Sequence, residues 1–183
     1  MKLTFETGDA TLPNVSSPYW ILHGCNDIGA WGSGFVVALN KRFGVGKKSP
    51  CDEYMMWFDV DPENVFATLP RLGDIQFVKI NKNDAVLNMI TQKGCGQVTY
   101  LKEFVSIPFR YESFNECLLR VKILAEKYKS KHGTYPNLVS PRIGCGLAMA
   151  EWSKVEKIIL EVFNTIDINW TVYDLPPSGE KQK

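Results

Sequence analysis

Four consecutive apolar residues, Tyr19-Trp20-Ile21-Leu22, run straight into a segment from His23 to Phe35 that holds Gly24, Gly29, Gly32 and Gly34. A strand without polar alternation is buried on both faces, which happens where helices cover a parallel sheet on either side. The glycines that follow let the chain turn sharply and start a helix. The same order recurs later: Leu138-Val139-Ser140 opens into Pro141-Arg142-Ile143-Gly144-Cys145-Gly146-Leu147-Ala148, and a helix follows. Two units of this kind require a layered α/β arrangement and exclude all-α and all-β folds.

The remaining elements fit that frame. Lys2 to Thr7 alternates as a strand and ends at Gly8-Asp9. Ser33 is expected to cap a helix through Phe43, stopped by Gly44, and a short helix is expected from Cys51 to Phe58. Asp74 to Ile80 and Ala85 to Thr91 read as strands joined by the turn Asn81-Lys82-Asn83-Asp84. Tyr111, Phe114, Leu118, Val121, Ala125 and Tyr128 recur at three- and four-residue spacing, the stripe of a long helix that Gly133 terminates. Ser153-Lys154-Val155-Glu156 reads as a capping box opening a helix to Phe163, and Ile168 to Leu175 is the closing strand. The expected fold is a three-layer α/β/α sandwich with a mixed, largely parallel central sheet, spanning 1–175 as a single domain. The polar residues 176–183 would form a flexible tail. With 183 residues, 45% of them hydrophobic, the chain can bury a core without disulfide or metal staples.

Charge and motifs narrow the function classes. The formal net charge of +1 disfavours nucleic acid as the leading partner, but backbone amides can still bind a small phosphate. The first ten residues lack the apolar core of a signal peptide, and no apolar run approaches the length of a membrane span. The five cysteines show no CxxC spacing and read as reduced thiols, so a cytoplasmic monomer is expected, with no metal and no cofactor. Gly29, Gly32 and Gly34 do not fit GxGxxG. Gly44 to Ser49 fails as a P-loop, because Lys41 and Lys48 stand where a glycine and the magnesium-binding hydroxyl are needed. Asp59-Val60-Asp61 fails as a calcium loop, with Asn64 at the glycine position.

The runs HGCNDIGAWGSGF and PRIGCGLA, with the Thr-Gly-Asp turn and the closing Val-Tyr-Asp-Leu strand, resemble the macro domain family over most of the chain. Within it the chain looks most like the branch of ADP-ribose 1″-phosphate phosphatases and terminal ADP-ribose protein glycohydrolases. The resemblance implies ADP-ribose, its 1″-phosphate or an ADP-ribosylated macromolecule as ligand. Asp9 would accept a hydrogen bond from the adenine amino group, assisted by the backbone of Ala10, and Tyr173 and Leu175 would line the adenine pocket. Gly29, Ala30, Trp31, Gly32, Ser33, Gly34 and Phe35 would wrap one side of the diphosphate and distal ribose, and Asn26 would hold that ribose. Ile143, Gly144, Cys145, Gly146, Leu147 and Ala148 would wrap the other side with backbone amides.

The leading expectation for chemistry is hydrolysis of ADP-ribose 1″-phosphate, with His23 moving a proton, Asn26 beside it and Asp27 orienting a water or the imidazole. A core role for His23, and a turn-capping role for Asp27, stand beside that reading. Trp31 either covers the cleft or packs the loop, Gln92 would face the distal ribose, and Cys25 and Cys145 read as small buried thiols. The glycohydrolase subgroup carries an Asp after Gly-Cys-Gly-Leu, working beside a Lys; this chain has Ala148 there, and Lys93 and Lys102 lie only in the general region of the Lys. Asp84 is a candidate for the missing carboxylate. The alternatives are release of ADP-ribose from a modified protein or nucleobase, and binding without turnover.

Overall fold

The computed structural model describes residues 1–176 apart from 62, 64–67, 96–98 and 102–103. The strands are β1 (Lys2–Thr7), β2 (Tyr19–Asn26), β3 (Ile75–Lys79), β4 (Ala85–Gln92), β5 (Thr99–Leu101), β6 (Phe104–Ser106), β7 (Asn137–Pro141) and β8 (Asn169–Asp174). The helices are α1 (Phe35–Phe43), α2 (Pro50–Phe58), α3 (Tyr111–His132) and α4 (Trp152–Phe163). Six strands form one sheet in the order β1-β8-β7-β2-β4-β3, parallel throughout except for β3 against β4. A separate β5-β6 ribbon follows β4; nothing in the sequence pattern signals it.

Alternation along the central strands builds the three layers. Trp20 and Leu22 of β2, with Ala85, Leu87 and Met89 of β4, pack under α3 and α4. Ile21, Val86, Val139 and Tyr173 point to the other face, against Leu39 of α1, and Cys25 and Ile90 meet Tyr54 of α2 there. The sandwich and the mixed, largely parallel sheet are therefore as the alternation predicts. The tail residues 177–183, and Lys102, lie outside the described residues.

Several boundaries differ for local reasons. α1 starts after Gly34, whose φ of 76° occupies the cap position, so Ser33 does not cap it. α2 takes in Pro50, with Ser49 Oγ accepting the Asp52 amide at 3.1 Å. α4 begins at Trp152: the Ser153 hydroxyl donates to Glu151 at 2.6 Å, and no capping box forms with Glu156. Asp84 is 6% exposed and accepts hydrogen bonds from Ser17 Oγ and the Tyr19 amide. It precedes β4, at the amino edge of the sheet, and so cannot supply the missing carboxylate at the other edge. Among the described residues no helix is long and apolar enough to cross a membrane.

Candidate functional site

A cleft of about 720 Å³ lies across the carboxyl edge of the sheet, where open α/β sheets bind ligands. Strand order lays out its lining from one end to the other. Gly8, Asp9 and Ala10 follow β1 and lie beside Tyr173 and Leu175 of the β8 end; the Pro141–Ala148 loop follows β7; the Asn26–Phe35 loop follows β2; Gln92 ends β4. Pro108 and Cys95 line the far end as well.

At the first end, Asp9 Oδ1 accepts the amide and hydroxyl of Thr11, both at 2.8 Å, which fixes the turn after β1. Asp9 Oδ2 has no partner among the described residues. Tyr173 is held by its phenol oxygen, which accepts the Asn14 amide at 2.8 Å.

The middle is backbone. Gly34, Phe35 and Val36 bring the amino end of α1 to the cleft, where helical amides lack internal partners. The amides of Gly32, Ser33, Gly146 and Leu147 also have no partner among the described residues. Among the described residues Arg142 is the only lysine or arginine on the lining, and its guanidinium is engaged elsewhere: Nε and Nη2 donate to the two carboxylate oxygens of Asp174 at 2.5 and 2.7 Å, between the Phe5 and Trp152 rings. An anion entering here therefore meets aligned amides and a helix dipole.

Loop geometry corrects several sequence expectations. Gly29 is off the lining: its missing Cβ would stand 3.0 Å from the Phe58 ring, on the outer side of the loop. Cys145 is also off the lining, with its thiol donating to Ile143 O at 3.5 Å. Gly144 lines the cleft, but the space its missing Cβ leaves is taken by Phe109, at 2.4 Å, rather than by room for a ligand. Ala10, Ala30, Trp31, Gly32, Ser33, Gly34, Phe35, Ile143, Gly146, Leu147, Ala148, Tyr173 and Leu175 do line it. Trp31 packs the loop, its ring against His23 and Tyr54 and its Nε1 donating to Asn40, while it also borders the cleft.

His23 reaches the floor of the cleft but is 1% exposed, with Trp31 and Phe35 against its ring. Asn88 Nδ2 donates to Gln76 Oε1, so Asn88 Oδ1 is an acceptor and His23 Nε2 carries the hydrogen, at 2.6 Å. Burial pulls its pKa down to about 4, against the weaker upward pull of its hydrogen bonds. It sits in the core as a neutral imidazole, bonded to Asn88 and covered by two aromatic rings. Asp27 is engaged beside the cleft: its carboxylate pairs with Lys93 at 2.9 Å and accepts the Gly94 amide at 2.7 Å, off the lining. Although partial burial pulls upward, those partners hold its pKa below the usual value. Asn26 borders the cleft, 5% exposed, with most of its amide committed to the loop. Among the described residues no cluster of His, Cys, Asp and Glu could hold a metal.

Sequence reasoning passed over Gly8, Cys95, Pro108 and Arg142 on the lining. Gly8 and Arg142 carried available signals, lying inside the Thr-Gly-Asp turn and the second glycine motif; Cys95 and Pro108 follow β4 in a stretch without a pattern.

A three-layer α/β protein with an amide-lined, nucleotide-sized cleft at its sheet edge is the class defined so far. No family model matches the sequence. A solved protein of unknown function from Bacteroides thetaiotaomicron is 38% identical, covers 96% of this chain and 99% of its own, and superposes with a TM-score of 0.77. A macrodomain protein from Streptomyces coelicolor is 34% identical over 94% of this chain and 99% of its own, with a TM-score of 0.70. The chain belongs to the macro domain family. Two curated relatives, both named ADP-ribose glycohydrolase OARD1, match over 92 residues, the bovine protein at 44% identity and the human at 51%. Each match spans 46% of this chain and 60% of the relative's length.

Proposed function

We propose that the cleft binds ADP-ribose and that the chain hydrolyses ADP-ribose derivatives at the distal ribose, releasing the group carried on its 1″ carbon. The order of the lining carries the binding half. The end beside Tyr173, where one Asp9 carboxylate oxygen has no partner among the described residues, leads to amides likewise unpartnered on two loops, and then to the side-chain amides of Asn26 and Gln92. Adenine, diphosphate and ribose follow one another in the same order. The glycohydrolase name of the curated relatives supports the hydrolytic half. ADP-ribose 1″-phosphate is the smallest such substrate, and an ADP-ribosylated macromolecule differs from it in the leaving group.

One observation favours a second reading, a reader that binds without turnover. Among the described residues the far end presents Asn26, Gln92, Cys95 and Ala148, with neither a carboxylate nor an accessible imidazole at that end. Calorimetric titration with ADP-ribose, followed by assays of phosphate release from ADP-ribose 1″-phosphate and of ADP-ribose release from a modified peptide, separates the two. Binding with either release supports the hydrolase. Binding with neither supports the reader, and absence of binding overturns both.

Asp9→Asn tests the adenine end. Asparagine keeps an oxygen for the Thr11 turn but replaces the charged acceptor with a donor, so ADP-ribose affinity should fall about tenfold or more while the melting temperature holds. An unchanged dissociation constant would place adenine elsewhere.

A further inference from the structure

The register of β2 against β4 slips between Cys25 and Asn26. The Asn26 carbonyl leaves the ladder there in a buried setting, where an unmet acceptor is costly. Tyr54, fully buried on α2, meets it: its hydroxyl donates to Asn26 O at 2.7 Å and lies 3.2 Å from Asn26 Oδ1. That Oδ1 also accepts the amides of Ile28 and Ala30 at 3.1 and 2.9 Å, while Nδ2 donates to Ala30 O at 2.6 Å. The Tyr54 ring supports Trp31 from below, centroid to centroid at 5.1 Å. Tyr54 itself is absent from the cleft lining.

We infer that Tyr54 is a positioning residue for the distal half of the ADP-ribose site, acting through Asn26 to set the curvature of the Asn26–Trp31 loop. This rests on the ADP-ribose reading above. One phenol fixes the backbone and the side chain of the residue from which the loop departs, and Asn26 in turn fixes Ala30, next to Trp31. The adenine end hangs on β8 and β1, two and three strands further along the sheet, and among the described residues has no bond to this network. Loss of the Tyr54 hydroxyl therefore weakens what the distal half holds and spares what the adenine end holds.

Tyr54→Phe keeps the ring under Trp31 and removes only the hydroxyl. Titrating wild type and variant with ADP-ribose and with AMP, each alongside a melting curve, tests the inference. The expected result is ADP-ribose affinity reduced about tenfold and AMP affinity within about twofold of wild type, in a variant that still melts cooperatively. Equal affinities for ADP-ribose in both proteins would overturn it, and so would parallel losses for the two ligands, which mark a general structural defect. Failure of the wild type to bind ADP-ribose is a different outcome, overturning the functional reading on which this one stands.

Discussion

Gly144→Val should lower ADP-ribose affinity by at least about a hundredfold and destabilise the fold by about 3 kcal/mol or more. Two effects add. Gly144 has a φ of 76°, a backbone conformation that a β-branched residue adopts only under strain. A Cβ there would also stand 2.4 and 2.5 Å from Phe109 ring atoms and 3.0 Å from the Ala150 methyl. The ring cannot yield cheaply, being 2% exposed, wedged against Tyr111 and Phe114, and tied by its backbone to Gln92 and Ala148. The loop must move instead, and its amides move with it. Gly146→Ala is the control, since nothing lies within 4 Å of its added Cβ and its φ is not in the left-handed region. That variant should melt with the wild type, so any loss of binding it shows is local to the cleft. ADP-ribose binding by Gly144→Val at wild-type strength would remove this loop from the site.

The contrast between those glycines marks what a sequence can disclose. That both belong to a tight turn after a buried strand follows from composition and order, and the structure puts that turn at the carboxyl edge of the sheet. What each missing side chain faces depends on residues distant in the chain, so Gly144 reads only as one more amide around the ligand, and its missing Cβ turns out to be room for Phe109. Helices divide in the same way. The stripe from Tyr111 to Tyr128 is long enough to fix α3. The Ser153–Glu156 spacing imitates a capping box two residues too late, because the helix already starts at Trp152 with Glu151 at the cap. The β5-β6 ribbon left no periodic trace in its three-residue strands.

Side-chain roles were less legible than the loops that carry them. The motif around Asn26 draws attention to that residue, but the partner that shapes it sits on α2, whose sequence carries no motif. Asp27 reads as a free carboxylate until Lys93 and the Gly94 amide are brought alongside by the end of β4. Tertiary pairing of this kind has no local signature. It decides whether a polar residue is a reagent or a structural tie.

His23 gives the second large effect, in stability against pH. The ring is neutral in the fold, with a pKa of about 4 against an ordinary 6.5, so the unfolded chain takes up a proton across that interval before the folded one does. Stability contributed by the buried neutral ring is complete above pH 6.5 and is lost progressively as the pH falls toward 4. The interval corresponds to about 3 kcal/mol. His23→Gln retains an N–H positioned to serve Asn88 Oδ1 and does not titrate, so its stability should change by much less between pH 6.5 and 4. Denaturant midpoints of both proteins at half-unit steps of pH give the comparison. Divergence that grows on acidification supports the core role. Parallel profiles, together with turnover lost in the variant above pH 6.5, would restore His23 as the group that moves the proton, and would require its ring to leave the shelter of Trp31 and Phe35 during the reaction.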